Sequence, residues 1–113
     1  MKSETSYLEM YQPIYNWVNQ VPIGKVVTYG QVADCVEETH FTARQVGHAL
    51  SLSQSPLNWQ RVVGAGGHIV VGRRSPEMRL LQIRLLREEG VHFLETDPER
   101  VNMALSQWQP HIV

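Results

Sequence analysis

Residues Thr28–Leu52 read TYGQVADCVEETHFTARQVGHALSL, and this pattern contains two short helices separated by a tight connector. Thr28 followed by Gln31 is the pattern of a capping box, in which a threonine caps a helix and a glutamine three residues later bonds back to it. Thr42 can cap a further helix that runs to about Leu52. Two such helices predict a helix-turn-helix over residues 28–52.

The segments on either side extend this unit into a winged-helix domain. Apolar residues at helical spacing predict an N-terminal helix over residues 6–20. The runs RVV at 61–63 and HIVV at 68–71 flank a glycine-rich turn, which predicts a β-hairpin, so that residues 59–74 would form a pocket and a wing. Ser75-Pro76 begins, and Gly90 ends, a C-terminal helix over residues 75–90.

We therefore expect a single domain over residues 1–113, mainly α-helical with a small β-hairpin. The apolar stripe of the last helix is expected to consist of Met78, Leu81, Leu85 and Leu86. The tail, residues 91–113, has a weaker pattern. A short helix is expected to begin at Asp97-Pro98, and Trp108 is expected to pack back on the core.

Composition excludes several classes of site. Cys35 is the only cysteine, so an internal disulfide is impossible and a structural zinc site has no support. Its helical spacing turns it inward, where a thiol is inert. The five histidines lack metal-ligand spacing, and no phosphate-binding loop follows a strand. We expect no metal and no cofactor.

No apolar run approaches the roughly 20 residues of a membrane helix. The first residues, MKSET, are followed by no hydrophobic stretch, so a secretory signal is not expected. The expected location is cytoplasmic, or associated with the nucleoid if the source is bacterial.

The net charge of −1 conceals a gradient along the chain. Residues 41–90 carry no lysine, three acidic residues and seven arginines, a net charge of +4. Arginine makes bidentate contacts with phosphate and stacks on bases, so a basic middle made only of arginine is compatible with nucleic-acid binding. Scattered arginines on a solvated surface remain the alternative. The seven are Arg44, Arg61, Arg73, Arg74, Arg79, Arg84 and Arg87.

The second helix of the helix-turn-helix carries small residues on its outer side. Ala43, Gly47 and Ser51 share that side, flanked by Arg44 and His48. Small side chains allow another surface, such as the walls of a narrow groove, to approach closely. An arginine beside them could enter a duplex and fill the gap left by an extruded base. Ordinary helix-filling residues are the alternative.

Four motifs, in order and with matching spacing, resemble the DNA-binding domain of the O6-alkylguanine-DNA alkyltransferases. The similarity runs from about residue 10 to residue 93. The motifs are VPxGxVxTYGQVA from Val21, ARxVG from Ala43, RVV from Arg61 and LLxxEG from Leu85.

One departure from the family pattern bears on function. The family signature is Pro-Cys-His-Arg-Val, and this chain has Asn-Trp-Gln-Arg-Val at 58–62. Trp59 replaces the cysteine that accepts the alkyl group, and Gln60 replaces the histidine that activates it. An indole offers no thiolate, so alkyl transfer at this position is chemically impossible. The chain is similar to the alkyltransferase-like proteins, which carry tryptophan there.

The resemblance implies roles for individual residues. Arg44 would be the finger that replaces the flipped base, and Tyr29 would help to rotate the nucleotide by pressing on its phosphate. Trp59 would form an apolar wall of the lesion pocket. An arginine beyond the wing would contact the base through a cation–π interaction. We choose Arg73 for that role, with Arg74 in reserve. The other DNA-binding residues implied are Thr28, Gln31, Ala43, Gly47 and Arg61.

The implied function is recognition of O6-alkylguanine in double-stranded DNA, without catalysis. The resemblance also implies that nucleotide excision repair proteins receive the marked lesion and that true alkyltransferases are kept from it. We expect a monomer with no membrane partner.

Two other functions stay open at this point. A winged-helix transcription regulator would read bases in the major groove, which requires long polar side chains on the second helix. A weak hydrolytic dealkylase would use Glu89 and a water molecule, and the sequence offers only Gln60 as a partner for that carboxylate.

Overall fold

The computed structural model describes residues 4–37, 39–53, 57–71 and 75–110. These residues form six α-helices, two short strands and two 3₁₀ turns. None of the described helices is long and apolar enough to cross a membrane. The elements are α1 Glu4–Met10, α2 Gln12–Val18, β1 Val27–Thr28, α3 Tyr29–Cys35, α4 Ala43–Leu52, the 3₁₀ turn Trp59–Arg61, β2 Val62–Val63, the 3₁₀ turn Ala65–Gly67, α5 Pro76–Glu88 and α6 Met103–Ser106.

The helix-turn-helix consists of α3 and α4, and each helix begins with a capping box. The Thr28 hydroxyl accepts a hydrogen bond from the Gln31 amide at 2.9 Å, which confirms the first box. At the second helix the predicted Thr42 cap is part of a full box: the Thr42 hydroxyl accepts from the Gln45 amide at 3.1 Å, while the Gln45 side chain accepts from the Thr42 amide at 2.9 Å. Each box satisfies backbone N–H groups that a helix start leaves without partners.

The prediction of one continuous N-terminal helix over 6–20 is wrong. The structure has α1 and α2, which meet at Tyr11. Pro13 stands in the first turn of α2. Because proline has no N–H and its ring clashes with the preceding turn, the helix restarts there rather than running through.

The predicted β-hairpin is also wrong in its pairing. The strand Val62–Val63 pairs in parallel with Val27–Thr28, whereas His68 forms an isolated antiparallel bridge with Arg100. One hydrogen bond joins the two sides of the turn, from the Gly64 N–H to the His68 carbonyl at 2.7 Å. The glycine-rich segment forms a 3₁₀ turn whose backbone lies against the tail, because Gly67 has a φ of 91° and its carbonyl accepts from the Val101 N–H at 3.0 Å.

The parallel ladder lies between two apolar cores. Val27 and Val62 belong to the core formed by α1, α2, α3 and α4, and Val26 and Val63 belong to the core formed by α5 and the tail. Successive residues of an extended chain point to opposite faces, so the two short strands, with Val26 just before β1, contribute side chains to both cores. All four valines are completely buried.

The C-terminal helix begins and ends as the sequence predicts. The Ser75 hydroxyl caps α5 by accepting from the Met78 amide, and Gly90 follows the helix with a φ of 84°. Its buried face differs from the predicted stripe. Gln82, Ile83 and Leu86 are buried. Of the other predicted residues, Met78 is exposed, and Leu81 and Leu85 are half-buried.

The tail forms a turn where a helix was predicted. Residues 98 and 99 are in a turn, and the short helix of the tail is Met103–Ser106, capped by the Asn102 side chain. A proline in a short exposed segment favours a turn equally well. Trp108 packs on Trp17, with ring centroids 5.4 Å apart, which confirms its docking on the core.

Candidate nucleic-acid interface

An open cleft of about 830 Å³ lies beside α4. The start of α3, the 3₁₀ turn Trp59–Arg61, the glycine-rich turn and the start of α5 complete its walls. It brings together five residues that the resemblance singled out: Tyr29, Ala43, Arg44, Gly47 and Trp59.

The α4 wall of the cleft carries small side chains, including Ala43 and Gly47. A Cβ atom on Gly47 would lie 3.9 Å from Cε1 of Tyr29, an ordinary van der Waals contact, so the Tyr29 ring lies directly beside this glycine. Ala43 is exposed at the start of the same helix. The arrangement leaves the helix backbone close to the cleft, where a second surface can approach it.

Arg44 projects from α4 as an exposed cation, while the other described arginines of the basic middle are occupied elsewhere. Across residues 39–53, 57–71 and 75–110, Arg44 has no acidic partner. Arg79 pairs with Glu99, Arg84 pairs with Glu88, and Arg87 donates to the Pro98 carbonyl. Three of the five described arginines of the basic middle, Arg61, Arg79 and Arg84, therefore pair with acidic side chains, whereas the Arg44 charge stays at the cleft.

Trp59 is held at the cleft wall by a network behind its 3₁₀ turn. The Gln82 side chain donates to the carbonyls of Gln60 at 3.0 Å and Val62 at 2.9 Å. The Gln60 side chain donates to the Glu89 carboxylate at 2.7 Å. Gln82 was not among the predicted site residues, although a glutamine inside an apolar helical stripe is a signal, since a buried amide requires partners.

Arg61 lies in the interior and does not line the cleft. Its Nε is 2.8 Å from Glu89 Oε1, and its Nη1 donates to the Val21 carbonyl at 2.8 Å. The guanidinium is therefore committed to partners inside the protein. The expectation that Arg61 contacts DNA does not fit this placement, because family motifs do not distinguish a buried ion pair from a phosphate contact.

The surroundings of Glu89 favour the ionised form of its carboxyl group. Burial alone would raise its pKa, but hydrogen bonds from Arg61 and Gln60, the Arg61 charge and the Gly24 N–H outweigh burial and hold the pKa below its usual value. A carboxylate with a lowered pKa and three donors around it is a weak base.

Thr28 and Gln31 are not among the residues that line the cleft, but they cap the start of the helix that carries Tyr29. Beyond its capping role, the Gln31 side chain donates to the Trp108 carbonyl at 2.6 Å and accepts from the Gln107 side chain at 3.0 Å. The tail is thereby tied to the start of α3. Arg73 and Arg74 lie outside the described residues, and the choice between them stays a prediction.

The thiol of the chain is not part of the cleft. Cys35 is half-buried at the end of α3, and burial, followed by the charges of Asp34 and Glu37, raises its pKa. A thiol with a raised pKa is a poor nucleophile at neutral pH. Over residues 4–37, 39–53, 57–71 and 75–110, no three metal-ligating side chains come together.

Comparison with known proteins identifies relatives of this chain. Residues 9–91 match the family described as 6-O-methylguanine DNA methyltransferase, DNA binding domain. Alkyltransferase-like protein 1 of Schizosaccharomyces pombe is 33% identical over 106 residues, which cover 90% of this chain and 96% of that protein. The DNA base-flipping protein of Vibrio parahaemolyticus is 33% identical over 99 residues, covering 86% and 93%.

Two solved structures have the same fold. One is the S. pombe alkyltransferase-like protein in complex with damaged DNA containing O6-carboxymethylguanine, with a TM-score of 0.76, 30% identity and coverage of 97% of this chain and 100% of that chain. The other, a complex of the S. pombe protein with DNA, has a TM-score of 0.73 at the same identity and coverage. These similarities confirm the fold class. The chain belongs to the family of the 6-O-methylguanine DNA methyltransferase DNA-binding domain and, within it, to the alkyltransferase-like proteins.

Proposed function

We propose that this protein is a non-enzymatic DNA-damage recognition protein that binds O6-alkylguanine, flipped out of double-stranded DNA. The observation that carries the proposal is the composition of the cleft: Trp59, Arg44 and Tyr29 face one space, and Cys35, the only thiol of the chain, is elsewhere. The relatives named above include a base-flipping protein and a complex with an alkylated guanine, which supports the same function here.

Each cleft residue has a role in this proposal. The small face of α4 enters the minor groove, and Arg44 fills the stack where the base was. Tyr29 presses on the phosphate of the extruded nucleotide, and Trp59 contacts the alkylated base.

The energetics of base flipping favour the lesion over a normal guanine. Flipping costs a few kcal/mol, and less for a badly paired base. Because an O6-alkyl group disturbs pairing with cytosine, the lesion is extruded more cheaply. Burial of the alkyl group against Trp59 then adds about 25 cal/mol per Å² of apolar surface.

The two alternative functions fit the cleft less well. Small residues on α4 cannot make the long polar contacts of a major-groove reader. Glu89 is occupied by Arg61 and Gln60, and its lowered pKa makes it a poor base for hydrolysis.

Family resemblance also suggests what happens to the bound lesion in the cell. The bound lesion is handed to nucleotide excision repair proteins and is shielded from alkyltransferases while the complex persists. The protein acts as a monomer on DNA.

Equilibrium binding tests the proposed function. Fluorescence anisotropy would compare an O6-methylguanine duplex with the same duplex containing guanine. We expect binding to the lesion to be at least about tenfold tighter, a difference of about 1.4 kcal/mol. Equal affinity for both duplexes would refute the proposal. Trp59 emission should change with the lesion duplex, and the W59F variant should lose that change while the emission of Trp17 and Trp108 remains.

A further inference from the structure

His48 lies in the cleft and has no role in the function proposed above. It lines the cleft one helical turn after Arg44 and three residues before Ser51, which also lines it. Residues at these spacings share one side of a helix. Four residues advance the helix by about 6 Å, so His48 is placed to meet the duplex near the point where Arg44 would enter it.

The orientation of the imidazole is fixed by aromatic neighbours. The Tyr7 ring lies nearly perpendicular to it, with centroids 5.0 Å apart, and the Tyr11 ring does the same at 5.5 Å. The Tyr11 hydroxyl is 2.9 Å from Nδ1 of His48. Turning the ring over would place a carbon against this hydroxyl and remove its partner.

The Tyr11 hydroxyl determines which nitrogen carries the hydrogen. Tyr11 is 2% exposed, and burial, followed by the neighbouring Tyr7, raises its pKa, so the phenol stays protonated. If it accepted from Nδ1, its own hydrogen would have no acceptor within the described part of the chain, and a buried donor without an acceptor is destabilising. The phenol therefore donates to Nδ1, and a neutral imidazole that accepts at Nδ1 carries its hydrogen on Nε2.

The Nε2 donor belongs to a residue that lines the cleft, and it is not used within the described part of the protein. Across the described residues it has no hydrogen-bond partner, and it is not among their buried unpaired atoms, so it is accessible. A fixed N–H beside a small-residue face is a directional donor with no acceptor of its own.

We propose that His48 is a sequence-reading residue: its Nε2–H donates to a base acceptor on the floor of the minor groove and thereby favours an A·T pair beside the lesion. The inference rests on the proposed function. The minor-groove edge of an A·T pair presents only acceptors, whereas a G·C pair adds the N2 amino donor of guanine. The His48 donor, held in place by Tyr11, would therefore meet an acceptor at an A·T pair and the amino donor of guanine at a G·C pair.

The test varies the base pairs around one lesion. Duplexes containing O6-methylguanine would carry A·T, G·C or inosine·C at each position within two steps of it, because inosine lacks the N2 amino group. At one position we expect the wild-type protein to bind the A·T duplex about three to ten times more tightly than the G·C duplex, since one hydrogen bond is gained and one donor conflict is avoided. The inosine·C duplex should bind like the A·T duplex.

Variants and a spectroscopic measurement complete the test. H48F keeps an aromatic ring between Tyr7 and Tyr11 without an N–H, and should bind all three duplexes equally. R84A, which removes an exposed charge outside the cleft, should keep the preference. Nitrogen NMR of the free wild-type protein should show an unprotonated Nδ1 in His48 at neutral pH.

The outcomes separate the two proposals. A context preference that persists in H48F, an inosine·C duplex that binds like G·C, no context preference in the wild-type protein, or a hydrogen on Nδ1 would each overturn the role of His48. In each case binding would still favour the lesion over undamaged DNA. Loss of that discrimination would instead overturn the proposed function.

Discussion

Arg44 and Arg61 carry the same guanidinium group in different surroundings, and the surroundings assign their roles. Arg61 is 8% exposed and bonded to Glu89 and Val21, so it stabilises the folded chain. Arg44 is exposed on α4 beside small residues and lines the cleft. Both residues stand in motifs that match the family. Only the fold separates an interior ion pair from a candidate DNA contact.

Replacing Arg44 by alanine should weaken binding to an O6-methylguanine duplex by more than about tenfold, because the gap left by the flipped base is no longer filled. R84A is the matched control, since it removes the same charge from the exposed Arg84–Glu88 pair, which is not in the cleft. It should change the affinity by less than about twofold. Equal losses in both variants would show that Arg44 contributes only general charge.

Replacing Glu89 by glutamine should lower the free energy of unfolding by on the order of 3 kcal/mol at pH 7, because Arg61 would keep its charge in the interior without a countercharge. The folded pKa of Glu89 is lowered, so its contribution is full above the unfolded pKa and is lost as the pH falls through the folded value. The stabilities of the wild type and E89Q should therefore begin to converge as the pH falls below about 4.3, the usual pKa of a glutamate in an unfolded chain.

Urea denaturation from pH 7 to pH 3 measures this convergence. E88Q is the control, since Glu88 is exposed and 3.8 Å from Arg84, and its effect should stay within about 0.5 kcal/mol. A loss in E89Q that is the same at every pH would contradict the ionic role of Glu89.

The helix α4 begins with a capping box and carries small residues on the side that faces the cleft. Thr42 caps the helix two residues before Arg44, so the cap fixes the first turn from which the arginine projects. The core side of α4 is anchored by Val46 and Ala49, both completely buried. The helix is thus stabilised from its start and its inner side, while small residues such as Ala43 and Gly47 line the cleft.

Replacing Thr42 by alanine should lower the free energy of unfolding by about 1 kcal/mol, since the Gln45 amide loses its acceptor. Binding to lesion DNA should also weaken, because the turn that carries Arg44 frays. T42S keeps the hydroxyl and should restore both properties. Thermal denaturation and anisotropy on the same samples measure both properties. If T42A matched the wild type in stability and binding, the Thr42 cap would not stabilise this turn.

Backbone contacts between distant parts of the chain join the glycine-rich turn to the tail. Gly67 has a φ of 91°, and a Cβ atom there would overlap the Val101 carbonyl oxygen. The Arg100 side chain donates to the Gly66 carbonyl at 2.9 Å on the same turn. The cleft wall near Ala65 therefore depends on residues that are distant in sequence.

Replacing Gly67 by alanine should lower the free energy of unfolding by about 3 kcal/mol or more, since backbone strain and overlap with Val101 add together. Gly90 is the matched control: its φ is 84°, but nothing lies within 4 Å of the position that a Cβ atom would occupy there. G90A should lose only about 1 kcal/mol, from backbone strain. Equal losses measured by urea denaturation would show that the tail does not hold the turn.

The sequence predicted what depends on neighbouring residues and failed where distant segments meet. Thr28, Thr42 and Ser75 start helices as expected because a cap involves residues three positions apart. The hairpin was wrong because Val62–Val63 finds its partner at Val27–Thr28, a parallel pairing with no local signal.

The same limit applies to the site. The family motifs placed Tyr29, Arg44 and Trp59 in one cleft, but they could not reveal that Arg61 is buried or that Gln82 supports the turn of Trp59. Those facts depend on contacts of the segment before β2 with α5, with Glu89 just after that helix, and with Val21.

A protein that recognises an alkylated base without removing the alkyl group should leave the lesion intact, and mass spectrometry can show this. The protein would be incubated with an excess of O6-methylguanine duplex, and the masses of the intact protein and of the recovered nucleoside would be determined. We predict an unchanged protein mass and complete recovery of O6-methylguanine, because Trp59 occupies the cleft wall and Cys35 lies outside it. A protein heavier by one methyl group, with guanine in place of the lesion, would show that the protein is an alkyltransferase.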